Sequence, residues 1–244
     1  MSEAVTHSGP FAGQLALVTG SSKGIGAATA EALAAAGAHV ILTGRDVKAL
    51  EAVEDRIFQA GGQATIAPVD LTEADGIARL ATAIRGRWQA LDILVLNAAV
   101  LPDLMAVTQI EGKGFNRALT VNVLAQQALL AAFDPMLKAS KDARVIGVTS
   151  SVAKAPRAFW GAYSASKAAF EALLDCYAQE VRKISAIRVA IVDPGATRTA
   201  MRAKAYPGED PKSVKLPEVV ASHLVELIGK QFSTGTRESV NVAS

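Results

Sequence analysis

Short apolar runs that recur between longer helical stretches constrain this chain more than any other feature. Residues 15–19, 39–43, 64–69, 93–96, 144–149, 187–192 and 239–242 are candidate strands. Most are unbroken Val, Ile and Leu rather than apolar-polar alternation, which is the pattern of strands covered on both faces. The intervals between them are long enough for crossover helices, so right-handed βαβ units and an open parallel sheet are expected. The fold class is therefore α/β, a doubly wound parallel seven-stranded sheet with helices on both faces.

Composition supports one large core. Half of the 244 residues are hydrophobic but only 5% are aromatic, so Ala, Val, Leu and Ile supply most of the apolar bulk. Small and β-branched side chains suit tight helix-on-sheet packing. A flexible segment over 1–13 and a single domain over 14–244 are expected. Residues 1–13 have neither the basic start nor the apolar centre of a signal peptide. No apolar run approaches the roughly 18 residues of a membrane span, so a cytoplasmic protein with no membrane partner is expected. The formal net charge is +2 with no basic block, which gives no reason to expect a nucleic-acid partner. The lone Cys176 excludes an intrachain disulfide and fits a reducing compartment; in its helical stretch it reads as a small core residue.

Several ends and turns carry signals. The first helix should span about 24–36 and stop at Gly37. A later helix should begin after Asp70-Leu71-Thr72, with Thr72 as its N-cap. The least regular segment, 199–217, contains Pro207, Gly208, Pro211 and Pro217, and reads as a lid beside the site rather than a plain loop.

The first strand runs into Gly20-Ser-Ser22-Lys23-Gly24-Ile25-Gly26, and a helix follows. Glycines at such a turn let the backbone approach a pyrophosphate, and the helix N-terminus offers free N–H groups and partial positive charge. At the end of the second strand, where an acid would hold a ribose 2′-hydroxyl, the chain reads Thr43-Gly44-Arg45. Two cations, Lys23 and Arg45, and no carboxylate suit a 2′-phosphate, which favours NADP(H) over NAD(H). Asp46 keeps NAD(H) open, because a short shift of the chain would bring its carboxylate in.

Tyr163 and Lys167 lie four residues apart, on one face of a helix. A free phenol ionises near pH 10, and an adjacent ammonium should lower that value toward neutrality. Lys167 can also bond a ribose. Ser150 ends the fifth candidate strand, where a hydroxyl can orient a substrate oxygen. Asn122 lies in an apolar helical pattern; it could hold a proton-relay water or simply pair with backbone. Pro194-Gly195-Ala-Thr197-Arg-Thr199 follows the sixth strand and could meet the nicotinamide end. Trp160, Phe159 and Met201 are candidates for an apolar substrate pocket. There is no HExxH or CxxC pair, so no metal is expected.

Together these residues resemble the short-chain dehydrogenase/reductase superfamily in its compact, single-domain, Rossmann-type form. The resemblance runs from about Gly13 to Val242 and rests on Thr19-Gly20-xxx-Gly24-x-Gly26, Asp70-Leu71, Asn97-Ala98, Asn122, Ser150, Tyr163-xxx-Lys167 and Pro194-Gly195 with Thr199. It implies a tetrad of Asn122, Ser150, Tyr163 and Lys167, with Tyr163 as general acid or base. It also implies that Asp70 meets the adenine, that Asn97 lies beside a ribose, and that the chain forms a homodimer or homotetramer through helices over 115–133 and 163–181. The chain departs from the family at Leu96-Asn-Ala-Ala99 and at Val152-Ala153-Lys154, where glycines are usual. Alanine there should narrow the cofactor groove slightly. The Trp160–Tyr163 and Thr197–Met201 blocks are similar to bacterial members of unassigned substrate. The implied activity is hydride transfer between NADP(H) and a small carbonyl or secondary alcohol. An NADP(H) sensor without turnover, a hydrolase using Ser150 and an extended nucleotide-sugar relative are the competing readings. All four tetrad residues are present, no G-x-S-x-G surrounds Ser150, and no added C-terminal substrate region of the extended kind is expected.

Overall fold

The computed structural model describes residues 9–240. Its strands form one seven-stranded sheet in the order β3-β2-β1-β4-β5-β6-β7. They are β1 (Leu15–Thr19), β2 (His39–Thr43), β3 (Gln63–Ile66), β4 (Ile93–Leu96), β5 (Arg144–Val148), β6 (Arg188–Asp193) and β7 (Thr236–Ser239). Every neighbouring pair is parallel. The chain winds outward from β1 to β3, then returns to β4 on the other side of β1. That reversal opens a crevice at the carboxyl ends of β1 and β4, where ligands bind in sheets of this kind.

Helices α1 (Gly24–Ala35), α2 (Val47–Gln59), α3 (Gly76–Arg85), α4 (Gly112–Leu119), α5 (Ala125–Ala139), α6 (Gly161–Val181), α7 (Ala200–Ala205) and α8 (Pro217–Gly229) connect and flank the strands. Successive side chains of a strand point to opposite faces. Leu15 and Leu17 accordingly join Phe133, Phe170 and Leu174 on one side of the sheet. Ala16 and Val18 join Leu33, Leu50 and Leu224 on the other. Both faces are therefore buried, which is why the strands read as continuous apolar runs. Gly147 in β5 permits the closest approach: a Cβ there would stand 2.1 Å from Leu174 Cδ1. Its absence lets α6 lie against the sheet.

The element boundaries depart from the sequence reading in identifiable places. Strands β1, β2 and β4 have the expected limits, and α1 ends just before Gly37. The expected strand over 64–69 is shorter and starts one residue earlier, although Ala67 and Val69 still donate to Leu42 and Gly44. β5 stops one residue short of Thr149, and β6 is shifted one residue toward the C-terminus. The last strand is Thr236–Ser239, not 239–242; residues 241 and 242 lie outside the described residues. As an edge strand of mostly half-buried residues, it has no apolar run to betray it. Helix α3 begins at Gly76 and Thr72 does not cap it. Thr72 instead donates its N–H (2.9 Å) and hydroxyl (2.8 Å) to Asp70 Oδ1.

Two further expectations are corrected by packing. Cys176 is exposed, because Phe170, Leu174 and Ala178 turn the opposite face of α6 to the core. Within the expected flexible 1–13 segment, residues 1–8 lie outside the described residues, but 9–13 are held. Phe11 is buried there, and its N–H donates to Ala36 O at 3.0 Å.

The 199–217 segment contains α7 and a short 3-10 turn at Pro211–Ser213. Thr199 caps α7 by accepting from Arg202 N at 3.1 Å. The base of the excursion is clipped by a parallel bridge between Thr197 and Lys215 and by Arg198 N donating to Lys215 O at 2.8 Å. The expected long helix over 115–133 is also interrupted. Between α4 and α5, residues Thr120–Leu124 form a π-helical turn, and the side-chain amide of Gln126 donates to Val121 O at 2.8 Å. Among the described residues no helix is long and apolar enough to cross a membrane.

Candidate active site

The crevice at the sheet reversal opens into a cavity of about 490 Å³. Its floor begins at the glycine turn. Gly20 and Gly24 both have positive φ, +67° and +59°, which tightens the turn and directs it into α1. Thr19 ties this turn to β4: its hydroxyl donates to Val95 O and accepts from the N–H groups of Asn97 (2.9 Å) and Ala98 (3.0 Å). The Asn97 amide returns the link by donating to Thr19 O at 2.8 Å and Gly20 O at 3.3 Å. Gly26 does not reach the cavity. It makes room for this knot, since a Cβ there would stand 2.2 Å from Gly20 O and 2.5 Å from Asn97 Nδ2.

At one end of the cavity, Ser22, Gly44 and Arg45 meet Asp70. Arg45 is largely exposed and lies 4.0 Å from the Asp70 carboxylate. The Thr72 N–H, then its hydroxyl and the charge of Arg45, hold Asp70 below the usual carboxylate range. Asp46, the carboxylate that could have favoured the other cofactor, is the N-cap of α2 and accepts from Ala49 N at 3.1 Å. An α/β crevice with a glycine turn, two cations and no free acid at the end of β2 fits a phosphorylated dinucleotide. Among the described residues no group of three or more His, Cys, Asp or Glu is placed to hold a metal ion.

At the other end stand Tyr163 and Lys167, both buried yet both on the cavity wall. Lys167 Nζ donates to Val148 O at 2.8 Å and lies 5.1 Å from the centroid of the Phe170 ring. Burial pushes its pKa down to about 8, against the pull of Glu171. The Tyr163 hydroxyl faces Met201 Sδ at 3.9 Å. Its phenol is raised above its ordinary value, first by burial and then by the charge of Asp193. This corrects the expectation that an adjacent ammonium lowers it: desolvation is the larger effect in this arrangement.

Asn122 and Ser150 are not among the residues that line the cavity. The π turn brings Asn122 inward, fully buried. It accepts from Val100 N at 2.8 Å and donates to Val100 O and Ser166 Oγ at 3.0 Å each. Its side chain is therefore engaged with backbone and with α6. Ser150 follows β5 in extended conformation and is half-buried.

Most other expected site residues line the cavity: Lys23, Ile25, Leu71, Ala98, Pro194 and Thr199 do so along with those already placed. Gly195 and Thr197 do not. Thr197 is buried, and its hydroxyl donates back to Pro194 O and Gly195 O at 3.2 Å, bracing the turn. Trp160 is not on the wall either; it packs edge-on against Tyr163 (6.0 Å between centroids) and beside Tyr206 (5.8 Å). Phe159 is exposed, with φ of +72°. Ala99, one of the departures from glycine, lines the cavity. The sequence reading missed Val148, Thr149 and Arg198 on the wall. The rule that ligands sit at the carboxyl ends of strands could have found the first two.

Comparison with known proteins places this geometry in a family. The family model for short chain dehydrogenases matches residues 14–210. The uncharacterized oxidoreductase YciK of Escherichia coli K12 is 35% identical over 219 residues, 88% of this chain and 86% of that protein. A structure reported as a short chain dehydrogenase from Pseudomonas syringae superposes with a TM-score of 0.91 at 37% identity, covering 99% of this chain and 100% of that one. Another, from Shigella flexneri and complexed with NADP, has a TM-score of 0.90 at 34% identity over 94% of this chain and 98% of its own.

Proposed function

The chain belongs to the short-chain dehydrogenase family, and from that premise we propose that it transfers a hydride between NADP(H) and a carbonyl or secondary-alcohol substrate. The observation that carries this reading is that one cavity joins the glycine turn and Arg45 to Tyr163 and Lys167. The NADP bound to the Shigella relative agrees with it. The cofactor supplies or accepts the hydride; this chain's residues hold it and move the proton.

Gly20, Ser22, Lys23, Gly24 and Ile25 would cradle the pyrophosphate, and Arg45 would pair with the 2′-phosphate. Asp70 and Leu71 would flank the adenine, with Asn97 and Ala98 beside the ribose and Pro194 and Thr199 toward the nicotinamide. Lys167 would hold the ribose while remaining tied to Val148. Tyr163 would exchange its phenolic proton with the substrate oxygen, which Ser150 would orient. Asn122 would brace the Val100 backbone against α6. A phenol raised by burial stays protonated near neutral pH, which is the acid form required when a carbonyl is reduced. Met201, on the cavity wall beside the Tyr163 hydroxyl, would offer an apolar flank to the substrate, with Trp160 packed edge-on against the phenol ring behind it.

The reading is tested by loss of nicotinamide absorbance across a panel of ketones, quinones and 3-oxoacyl thioesters with NADPH. Turnover of at least one class is expected, and tight NADPH binding without turnover of any would favour a sensor. Arg45→Ala is expected to raise the KM for NADPH about tenfold and leave that for NADH nearly unchanged, the size of one exposed charge-assisted phosphate contact. Equal effects on both would reject the 2′-phosphate assignment. A homodimer or homotetramer through the α4–α5 and α6 faces is part of the proposal, since Leu124 is 61% exposed on that side. A monomer in light scattering would contradict it.

A further inference from the structure

One turn beyond Lys167 on α6 lies Glu171, a buried carboxylate that none of the steps above uses. Its position four residues on places it on the same helix face as Lys167. Both of its oxygens are engaged. Oε1 accepts from the Thr149 hydroxyl at 2.7 Å, and Oε2 pairs with Arg237 of β7. Arg237 also pairs with Asp175, a further turn along α6. Thr149 lines the cavity, and its own N–H donates to Val192 O at 2.9 Å. Val148, which accepts from Lys167, precedes it, and Ser150 follows it. A buried carboxylate with this many partners costs desolvation, and a hydrogen bond to one threonine alone would not demand a charge.

We infer that Glu171, pinned by Arg237, is a positioning residue: its carboxylate is the countercharge of the buried Lys167 ammonium, and its bond to Thr149 fixes the strand end that presents Ser150. This rests on the proposed function for its catalytic meaning, but the electrostatic part concerns the protein alone. The charged or titratable groups around Lys167 are few. On α6 they are Tyr163, Glu171 and Asp175. Asp193 comes from β6 and Arg237 from β7. Helix α4, packed against α6, carries Lys113 and Arg117, both exposed. The π turn and the end of β5 bring only neutral groups, Asn122, Thr149 and Ser150. Glu171 is therefore the acid best placed to oppose the loss of the Lys167 proton caused by burial.

The test is a direct titration of Lys167 by NMR of protein labelled in its lysines with 13C and 15N, the signal assigned by its loss in Lys167→Met. Glu171→Gln is expected to move the Lys167 midpoint down by about one pH unit, the usual reach of one nearby opposite charge partly neutralised by a third group. Arg237→Met, which leaves the carboxylate in place, is expected to move it up. Thr149→Val keeps the charge and should leave the midpoint in place while lowering kcat with an active carbonyl substrate. The alkaline limb of NADPH oxidation should follow the NMR midpoint in Glu171→Gln. If neither Glu171→Gln nor Arg237→Met moves the Lys167 midpoint, the inference is overturned. Failure to bind or oxidise NADPH with the midpoint still shifting in both variants would instead strike the proposed function and leave the countercharge standing.

Discussion

Tyr163→Phe is expected to lower turnover at least about 10³-fold while leaving the affinity for NADPH within about twofold. The substitution removes one oxygen and nothing else from a buried ring packed against Trp160. The fold loses little, because the Tyr163 hydroxyl has only a long contact to Met201 Sδ at 3.9 Å. The chemistry loses its proton donor. Stopped-flow measurement separates the two effects, with binding read from nicotinamide fluorescence and hydride transfer from absorbance. Turnover within tenfold of the parent would mean that another group moves the proton, and the mechanism would have to be abandoned. A large loss of NADPH affinity would mean that the phenol serves the cofactor instead. The direction of the Tyr163 shift sharpens the expectation. A phenol raised by burial and by Asp193 favours reduction around neutrality, whereas oxidation needs the phenolate and should gain as the pH rises.

Gly26→Ala is expected to weaken NADPH binding at least about 100-fold, and it does so without touching the cofactor. The new Cβ would stand 2.2 Å from Gly20 O and 2.5 Å from Asn97 Nδ2. The first of these is backbone and cannot swing aside, so either the glycine turn opens or α1 withdraws from β4. Both distort the N–H groups that would meet the pyrophosphate. Gly24→Ala makes a useful contrast. Its Cβ meets no protein atom closer than Thr199 Cγ2 at 3.4 Å, an ordinary contact, so within the protein only the strain of φ +59° remains, and any further loss would come from the methyl group facing the pyrophosphate itself. Calorimetric titration with NADPH should rank Gly26→Ala well below Gly24→Ala. The reverse ranking would show that local backbone conformation, rather than the packing of α1 on the β1–β4 knot, governs the turn.

What the sequence disclosed and what it hid divide along a physical line. Features written in neighbouring residues were legible: the apolar runs of β1, β2 and β4, the glycine turn, the Tyr163–Lys167 pair and the absence of an acid at Gly44. The edge strand β7 was misplaced because Thr-Arg-Glu-Ser has no periodicity that burial would impose. Thr72 reads as a cap in sequence because capping residues and turn residues are the same types; in the fold Asp70 captures its hydroxyl. The direction of the Tyr163 shift is not legible in sequence, because spacing along a helix reveals neighbours but not the depth of burial. Glu171 and Arg237 were invisible, since their pairing spans 66 residues and joins α6 to a strand at the far edge. Asp46 is the converse case, a residue whose ambiguity in sequence disappears once it is seen capping α2.

The π turn at Thr120–Leu124 has a consequence for how this chain can change over time. Such a turn amounts to one residue inserted into an α-helix. The wide turn absorbs that residue, so the helices on either side keep the facings they would have in one regular helix, and removing a single residue there would restore regular winding with little rotation of either flank. What the deletion would take is the bulge itself, and with it the reach of Asn122 to Val100 and Ser166. Length can therefore vary at this point at the expense of the inner brace alone, while the outer faces of α4 and α5 keep their register.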